Sequence, residues 1–229
     1  MIYFATDAKI TVFDCDRDEF IGSYKSEENP QNVDMGRCTN SIMYGGAPCF
    51  ALEMCQTINS HWGIGALDID YKSPRELIET LCECRKVGAN YLLNIGPTAQ
   101  GGVDSFQAEL IATVGKWMDV YGEAIYNGRP YAAKGMGRNF ILKGEDELYL
   151  FFFDMGIRGD ENVIDDERYS GVYAFGNVTD KLEKIEWMDN GEVLDFAQSN
   201  DMLSVNATGY PYGMATCVRV ARAKMKSHR

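Results

Sequence analysis

Few side chains in this sequence have the type and spacing for chemistry, and the absences narrow the field. Two histidines, His61 and His228, accompany seven cysteines (15, 38, 49, 55, 82, 84 and 217) that include no C-x-x-C pair. That set gives a zinc site little support, and no metal or other cofactor is expected. Cys82 and Cys84 stand two apart on a helical stretch and point to different sides, which excludes a local disulfide or metal clip. Reduced thiols are expected. A Ser-His-Asp hydrolase is equally hard to assemble, since one histidine lies in the C-terminal tail and no G-x-S-x-G occurs. What remains is polar groups at the ends of apolar runs. Asn94 closes Tyr91-Leu92-Leu93, and Asp14 and Asp16 close "TVFDCD" at 11–16. Asn94 reads either as a loop-capping asparagine or as a group that faces a site.

The elements around Asn94 define which end of a strand it occupies. Ser73-Pro74-Arg75-Glu76 has capping-box spacing with proline at the first helical position. Leu77, Ile78, Leu81 and Cys84 then form one face, and Gly88 is a natural stop. A second helix begins with Asp104 and Gln107 at cap spacing and carries Phe106, Leu110, Val114, Trp117, Met118 and Tyr121 as its stripe, ending at Gly122. Helix, buried strand, polar loop and helix make up the unit of a parallel α/β layer, whose function sits at the C-terminal ends of the strands.

The period changes near residues 127–137. "NGRPYAAKGMG" reads as a linker. The runs at 148–155, 171–176, 184–189, 202–207 and 216–223 are short and β-type, and "DNGE" (189–192) is a hairpin signal. At about 95 residues this half has the size of a small antiparallel sandwich. The first half holds at most three or four strands of parallel type and two clear helices, too few for a complete (β/α)8 barrel of ~250 residues. It is either a small open α/β layer or the last part of a barrel. "MIYFATDAKITVF", which starts inside apolar strand material, favours the second.

The totals exclude whole classes. The formal charge of −12 over 229 residues argues against nucleic acid and against an anionic membrane surface. No stretch reaches the ~18–20 apolar residues of a membrane span. The start lacks the pattern of a secretory leader, so a cytoplasmic location is expected.

Three segments taken in order carry a family resemblance. They are "LEMCQTINSHWGIGALDIDYKS" (52–73), "LIETLCECRKVGANYLLNIGPTAQGGV" (77–103) and "VGKWMDVYGEAIYNGRPY" (114–131). They resemble, respectively, the W-E-x-C-x-T-I-N-x-S-W-G-Y, G-G-N-x-L-L-N-I-G-P and I-G-x-W-L-x-x-N-G-E-A-I-Y segments of the α-L-fucosidases of glycoside hydrolase family 29. The resemblance implies a fold that is α/β plus all-β: the C-terminal part of a (β/α)8 barrel (residues 1–130, incomplete) followed by an antiparallel β-sandwich (131–229). It also implies retaining hydrolysis of terminal α-L-fucosyl linkages with an aspartate nucleophile and a glutamate acid/base. Such a pair sits about 5–5.5 Å apart, and the protonated member needs a raised pKa.

Residue by residue, "GSYKSEENP" (22–30) is similar to the family's G-D-[FY]-x-T-P-E, which makes Glu28 the first choice for the acid/base, with Glu27 as its neighbour in register. Glu53, at the glutamate of W-E-x-C, is the alternative. Trp62 would wall the fucose ring, His61 would hydrogen-bond a sugar hydroxyl, Asn94 would face the pocket, and Arg17 lies near the family's sugar-binding arginine. Leu52 stands where the family has tryptophan. The nucleophile strand has no match: Asp14 lies only 14 residues before Glu28, well short of the family's interval. The expectation is therefore a chain without a nucleophile, inactive alone, that recognises a fucosylated glycan. It would associate with itself or with a companion chain carrying the first half of the barrel. A non-catalytic carbohydrate-binding or structural module, and one subunit of a split enzyme, are the competing readings.

Overall fold

A computed structural model describes residues 9–14, 19–25, 43–44, 47–48, 50–155, 171–210 and 216–226. The chain forms two compact units, 1–114 and 115–229.

In the first unit β1 (Lys9–Asp14), β2 (Glu19–Lys25), β5 (Phe50–Thr57) and β6 (Asn90–Asn94) make a sheet in the order β2-β1-β5-β6. β3 (Met43–Tyr44) and β4 (Ala47–Pro48) pair only with each other. β1 runs antiparallel to both β2 and β5, whereas β5 and β6 are parallel, from Glu53↔Asn90 to Thr57↔Asn94. A sheet of purely parallel strands is thus corrected to a mixed one, and the described residues form no closed barrel. The connections give the reason. The four residues between Asp14 and Glu19 can only return the chain antiparallel, because a parallel partner needs a crossover of a dozen residues or more. Among the described residues such a crossover links β5 and β6, where helix α1 (Pro74–Lys86) fills it.

α1 starts as its cap predicts. Ser73 Oγ accepts from Glu76 N at 3.1 Å, Pro74 opens the helix, and Gly88 takes φ 77° just beyond the end. Its buried Leu77 joins Ile58 and Leu110 in a small core, with Tyr71, Leu93, Ile95 and Val114 packed against them. Helix α2 (Ser105–Asn127) starts at Asp104, whose Oδ1 accepts from Phe106 N (3.0 Å) and Gln107 N (3.4 Å). It passes the expected stop at Gly122 because Ala124 and Ile125 extend the buried stripe of Trp117 and Tyr121. The stop is Gly128, where a Cβ would lie 2.4 Å from the Ala124 carbonyl. The two units divide inside this helix, between Val114 and Gly115. Among the described residues no helix is long and apolar enough to cross a membrane.

The second unit is a two-sheet sandwich. One sheet runs β12 (Leu182–Trp187), β15 (Val218–Met225), β10 (Glu147–Phe153), β9 (Phe140–Lys143), β7 (Arg129–Pro130). The other runs β13 (Phe196–Ser199), β14 (Met202–Ala207), β11 (Gly171–Gly176), β8 (Lys134–Gly135), and every pairing in both is antiparallel. The expected runs correspond to β10, β11, β12, β14 and β15, while the short β7, β8, β9 and β13 escaped a reading that relied on longer apolar runs. The "DNGE" turn forms: Gly191 at φ 72° donates to Trp187 O (2.9 Å), and Trp187 N donates to Glu192 O (2.9 Å). Between the sheets Phe152 meets the edges of Tyr173, Phe175 and Trp187 at centroid distances of 5.3, 5.7 and 5.2 Å. Arg219, with no exposed side-chain surface, forks onto Asp189 (2.9 and 3.1 Å), donates to Thr208 O and Gly209 O, and stacks 4.0 Å over the Trp187 ring.

Candidate functional site

The paired parallel strands β5 and β6 end level with each other at Thr57 and Asn94, and their following loops leave from the same edge. The first loop is tied down at both ends. Ile58 N donates to Asn94 O and Lys72 N to Ile58 O, each at 2.9 Å. Lys72, itself buried, adds Nζ to Asn59 O at 2.9 Å. Inside the loop Asn59 Nδ2 donates to Gly63 O (2.8 Å) and to Asp68 Oδ2 (2.5 Å). The same carboxylate oxygen accepts from His61 Nε2 (3.1 Å) and Gly65 N (3.4 Å). Asp68 is almost wholly buried and His61 half-exposed. These bonds form a closed turn that lifts Trp62 outward, 52% exposed, where an apolar ring face is available to a ligand.

The second loop holds the first by close backbone approach. A Cβ on Gly96 would lie 2.5 Å from Gly63 C and 2.6 Å from Gly63 O, so only glycine lets the two loops meet. Gly96 N donates to Gln107 Oε1 at 3.1 Å, and Gln107 is fully buried. The spacing of Gln107 from Asp104 predicts a helix cap. The Gln107 backbone does receive the Asp104 cap, but its side chain braces Gly96 instead. Four buried polar atoms along these loops have no hydrogen-bond partner among the described residues: Asn59 Oδ1, Asp68 Oδ1, Asn94 Oδ1 and Gln107 Nε2. Buried polar groups are normally satisfied, so this concentration of open valences is what a ligand-facing edge presents.

Of the residues singled out from the sequence, Asn94, His61 and Trp62 come together at this edge. Glu53 does not. It pairs with Asn90 at the opposite end of the β5–β6 ladder, four residues or about 13 Å from Thr57. The expectation that Glu53 stands at the C-terminal edge beside Asn94 is therefore corrected: β5 begins at Phe50 and carries Glu53 at its middle. Asp14 is farther still, since antiparallel β1 brings it beside Phe50 at the start of β5. Glu28, Glu27, Arg17 and Asp16 lie outside the described residues. Tyr91 is no acid/base candidate. Burial drives its pKa well up, and its hydroxyl donates to the buried Gln56 Oε1 at 2.7 Å. The Cys84 thiol is likewise pushed up to about 12, by burial first and by the neighbouring Glu83 second, and sits 3.5 Å from Met54 Sδ. Sequence reading missed Asn59, Asp68, Gly96 and Gln107; Gly96 alone had a legible signal, in "NIGP".

The family model described as Alpha-L-fucosidase matches residues 9–123. The tissue alpha-L-fucosidase of Homo sapiens is 35% identical over 99 residues, which are 41% of this chain and 21% of that protein. The alpha-L-fucosidase of Branchiostoma floridae is 33% identical over 108 residues, 44% of this chain and 24% of that one. The chain thus matches about a fifth to a quarter of the length of these curated relatives. Among solved structures, alpha-L-fucosidase isoenzyme 1 from Paenibacillus thiaminolyticus shares the fold with a TM-score of 0.63 at 23% identity. The similarity covers 81% of this chain and 42% of that one. The Thermotoga maritima alpha-fucosidase gives a TM-score of 0.57 at 21% identity, over 75% and 39%.

Proposed function

The chain belongs to the alpha-L-fucosidase family, and we propose that it binds a terminal α-L-fucosyl group at the edge where β5 and β6 end. It would serve the hydrolysis of that group's glycosidic bond. The observation that carries this reading is the meeting of exposed Trp62, His61 and Asn94 at one strand edge, over a row of unsatisfied buried polar atoms. A ring face beside convergent polar groups suits a deoxy sugar, which is apolar on its methyl side and hydroxylated elsewhere.

In this reading the domain limits are 1–130, an incomplete (β/α)8 barrel, and 131–229, the sandwich. The mechanism is retaining. Glu28 is the acid/base, protonating the leaving oxygen and then activating water, while the nucleophilic carboxylate comes from outside this chain. Glu53 is the weaker alternative, given its register with Asn90. General acid help alone contributes ~10²–10⁴-fold, so the isolated chain is expected to lack enzyme-like turnover. β6 is an edge strand of its sheet among the described residues, a place where a companion strand or a second copy could dock. The test is incubation of the pure chain with an aryl α-L-fucoside, alone and with a polypeptide carrying the earlier part of the family's barrel. Turnover appearing only with the second polypeptide, and lost in Glu28→Ala, is the expected result. Robust turnover by the chain alone, abolished by Asp14→Ala, would overturn the assignment of the nucleophile. Fucoside binding with no turnover under either condition favours a non-catalytic binding module, the reading supported by Asp14 and Glu53 lying away from the Asn94 edge.

A further inference from the structure

The loop after β5 contains a hydrogen-bonded chain from Asp68 through His61 to Ser60. Asp68 Oδ2 is met only by donors, Asn59 Nδ2 at 2.5 Å, His61 Nε2 at 3.1 Å and Gly65 N at 3.4 Å. A carboxylate surrounded in this way accepts, so the imidazole proton sits on Nε2. Nδ1 of the neutral ring is then an acceptor, and Ser60 Oγ lies 3.2 Å from it. Ser60 therefore donates to Nδ1. Both ring nitrogens are occupied, and His61 has no in-plane hydrogen bond left for a ligand. Ser60 is exposed beside Trp62, with its hydroxyl proton turned inward and its lone pairs turned out.

We propose that Ser60, rather than His61, meets a sugar hydroxyl at this site, with Asp68 and His61 as positioning residues that orient the Ser60 O–H. The inference rests on the fucoside reading for its ligand class, a hydroxylated pyranoside. The neutral ring makes Ser60 an acceptor. Asp68 meets the His61 ring, and Lys72, on the same loop, has its Nζ held by Asn59 O. The residues reaching this loop from β6 and α2, namely Asn94, Gly96 and Gln107, do not titrate.

The test uses the whole chain and methyl α-L-fucopyranoside, with binding read by titration calorimetry. Ser60→Ala is expected to weaken binding about ten-fold, the loss of one hydrogen bond. Ser60→Thr, which keeps the hydroxyl, should restore it, and Trp62→Ala should abolish it. Full affinity in Ser60→Ala with loss in Trp62→Ala overturns the proposal and leaves the fucoside reading standing. No saturable response in the wild-type chain overturns that reading instead. The hydrogen-bonded chain is then judged without ligand, by ¹⁵N shifts of the His61 ring. An Nε2–H tautomer that becomes mixed in Asp68→Asn supports it, and an Nδ1–H tautomer in the wild-type chain overturns it.

Discussion

The two units of this chain differ in where buried polar atoms lack a partner among the described residues: they are scattered in the second, at Tyr210 Oη and Arg222 Nε, and gathered mainly on adjoining loops in the first. In the sandwich the largest buried charge, Arg219, has its donors shared among a carboxylate and two carbonyls and its face covered by Trp187. The apolar core there draws on both sheets. Among the described residues of the first unit, Leu67 and Ile69 are 90% and 89% exposed and Leu92 and Phe106 are partly so. Asn59, Asp68, Asn94 and Gln107 there leave buried atoms open. Under the proposed function, the sandwich would be the scaffold and the strand edge of the first unit would meet the sugar.

The most severe way to break this contrast is inside the sandwich. Arg219→Ala strands Asp189 as a buried unpaired charge, and the sandwich should lose about 3–5 kcal/mol in denaturant unfolding. Arg222→Ala, which removes a partly exposed ion pair with Glu123 in the same unit, should cost no more than about 1 kcal/mol. Equal losses would mean that the Arg219 network is not what consolidates the sandwich.

Gly96→Ala acts only on the first unit. Its Cβ strikes the Gly63 backbone, which must shift, at about 1–3 kcal/mol. Acrylamide quenching of Trp62 should rise while the sandwich transition keeps its midpoint. Unchanged quenching would show that the two loops are not registered through this contact.

An effect that appears only at alkaline pH comes from Cys84. Its thiol is raised from 9.0 to about 12 by burial, so the folded state holds the proton more tightly than the unfolded one. Its contribution is complete below pH 9 and is lost between pH 9 and about 12, with a limiting slope of about 1.4 kcal/mol per pH unit. Amide exchange in α1 should accelerate over that range, and less steeply in Cys84→Ala. Identical profiles would mean that another group, such as the similarly raised Tyr91, governs the alkaline limb.

Local signals were enough for α1, whose cap, proline and stop glycine all act within a few residues of the chain. They were also enough for the longer strands of the sandwich and for the Gly191 turn. The edge position of Asn94 was legible too, because an apolar run closed by Asn-Ile-Gly-Pro ends a strand wherever it lies. Three things were decided by tertiary structure. β1 became antiparallel because of which strand it found to pair with, and register across strands is not written in either strand alone. α2 ran on to Asn127 because the buried Trp117, Tyr121, Ala124 and Ile125 reward five more residues of helix beyond Gly122. The clasp of Asn59, His61 and Asp68, and the seat that Gly96 and Gln107 provide, unite residues separated by up to 48 positions. The sequence by itself determined which residues could cap, turn or donate; only the folded loops decided which of them would meet. Hydrogen bonds depend on angstrom distances in space, and spacing along a chain constrains those only within a turn or two.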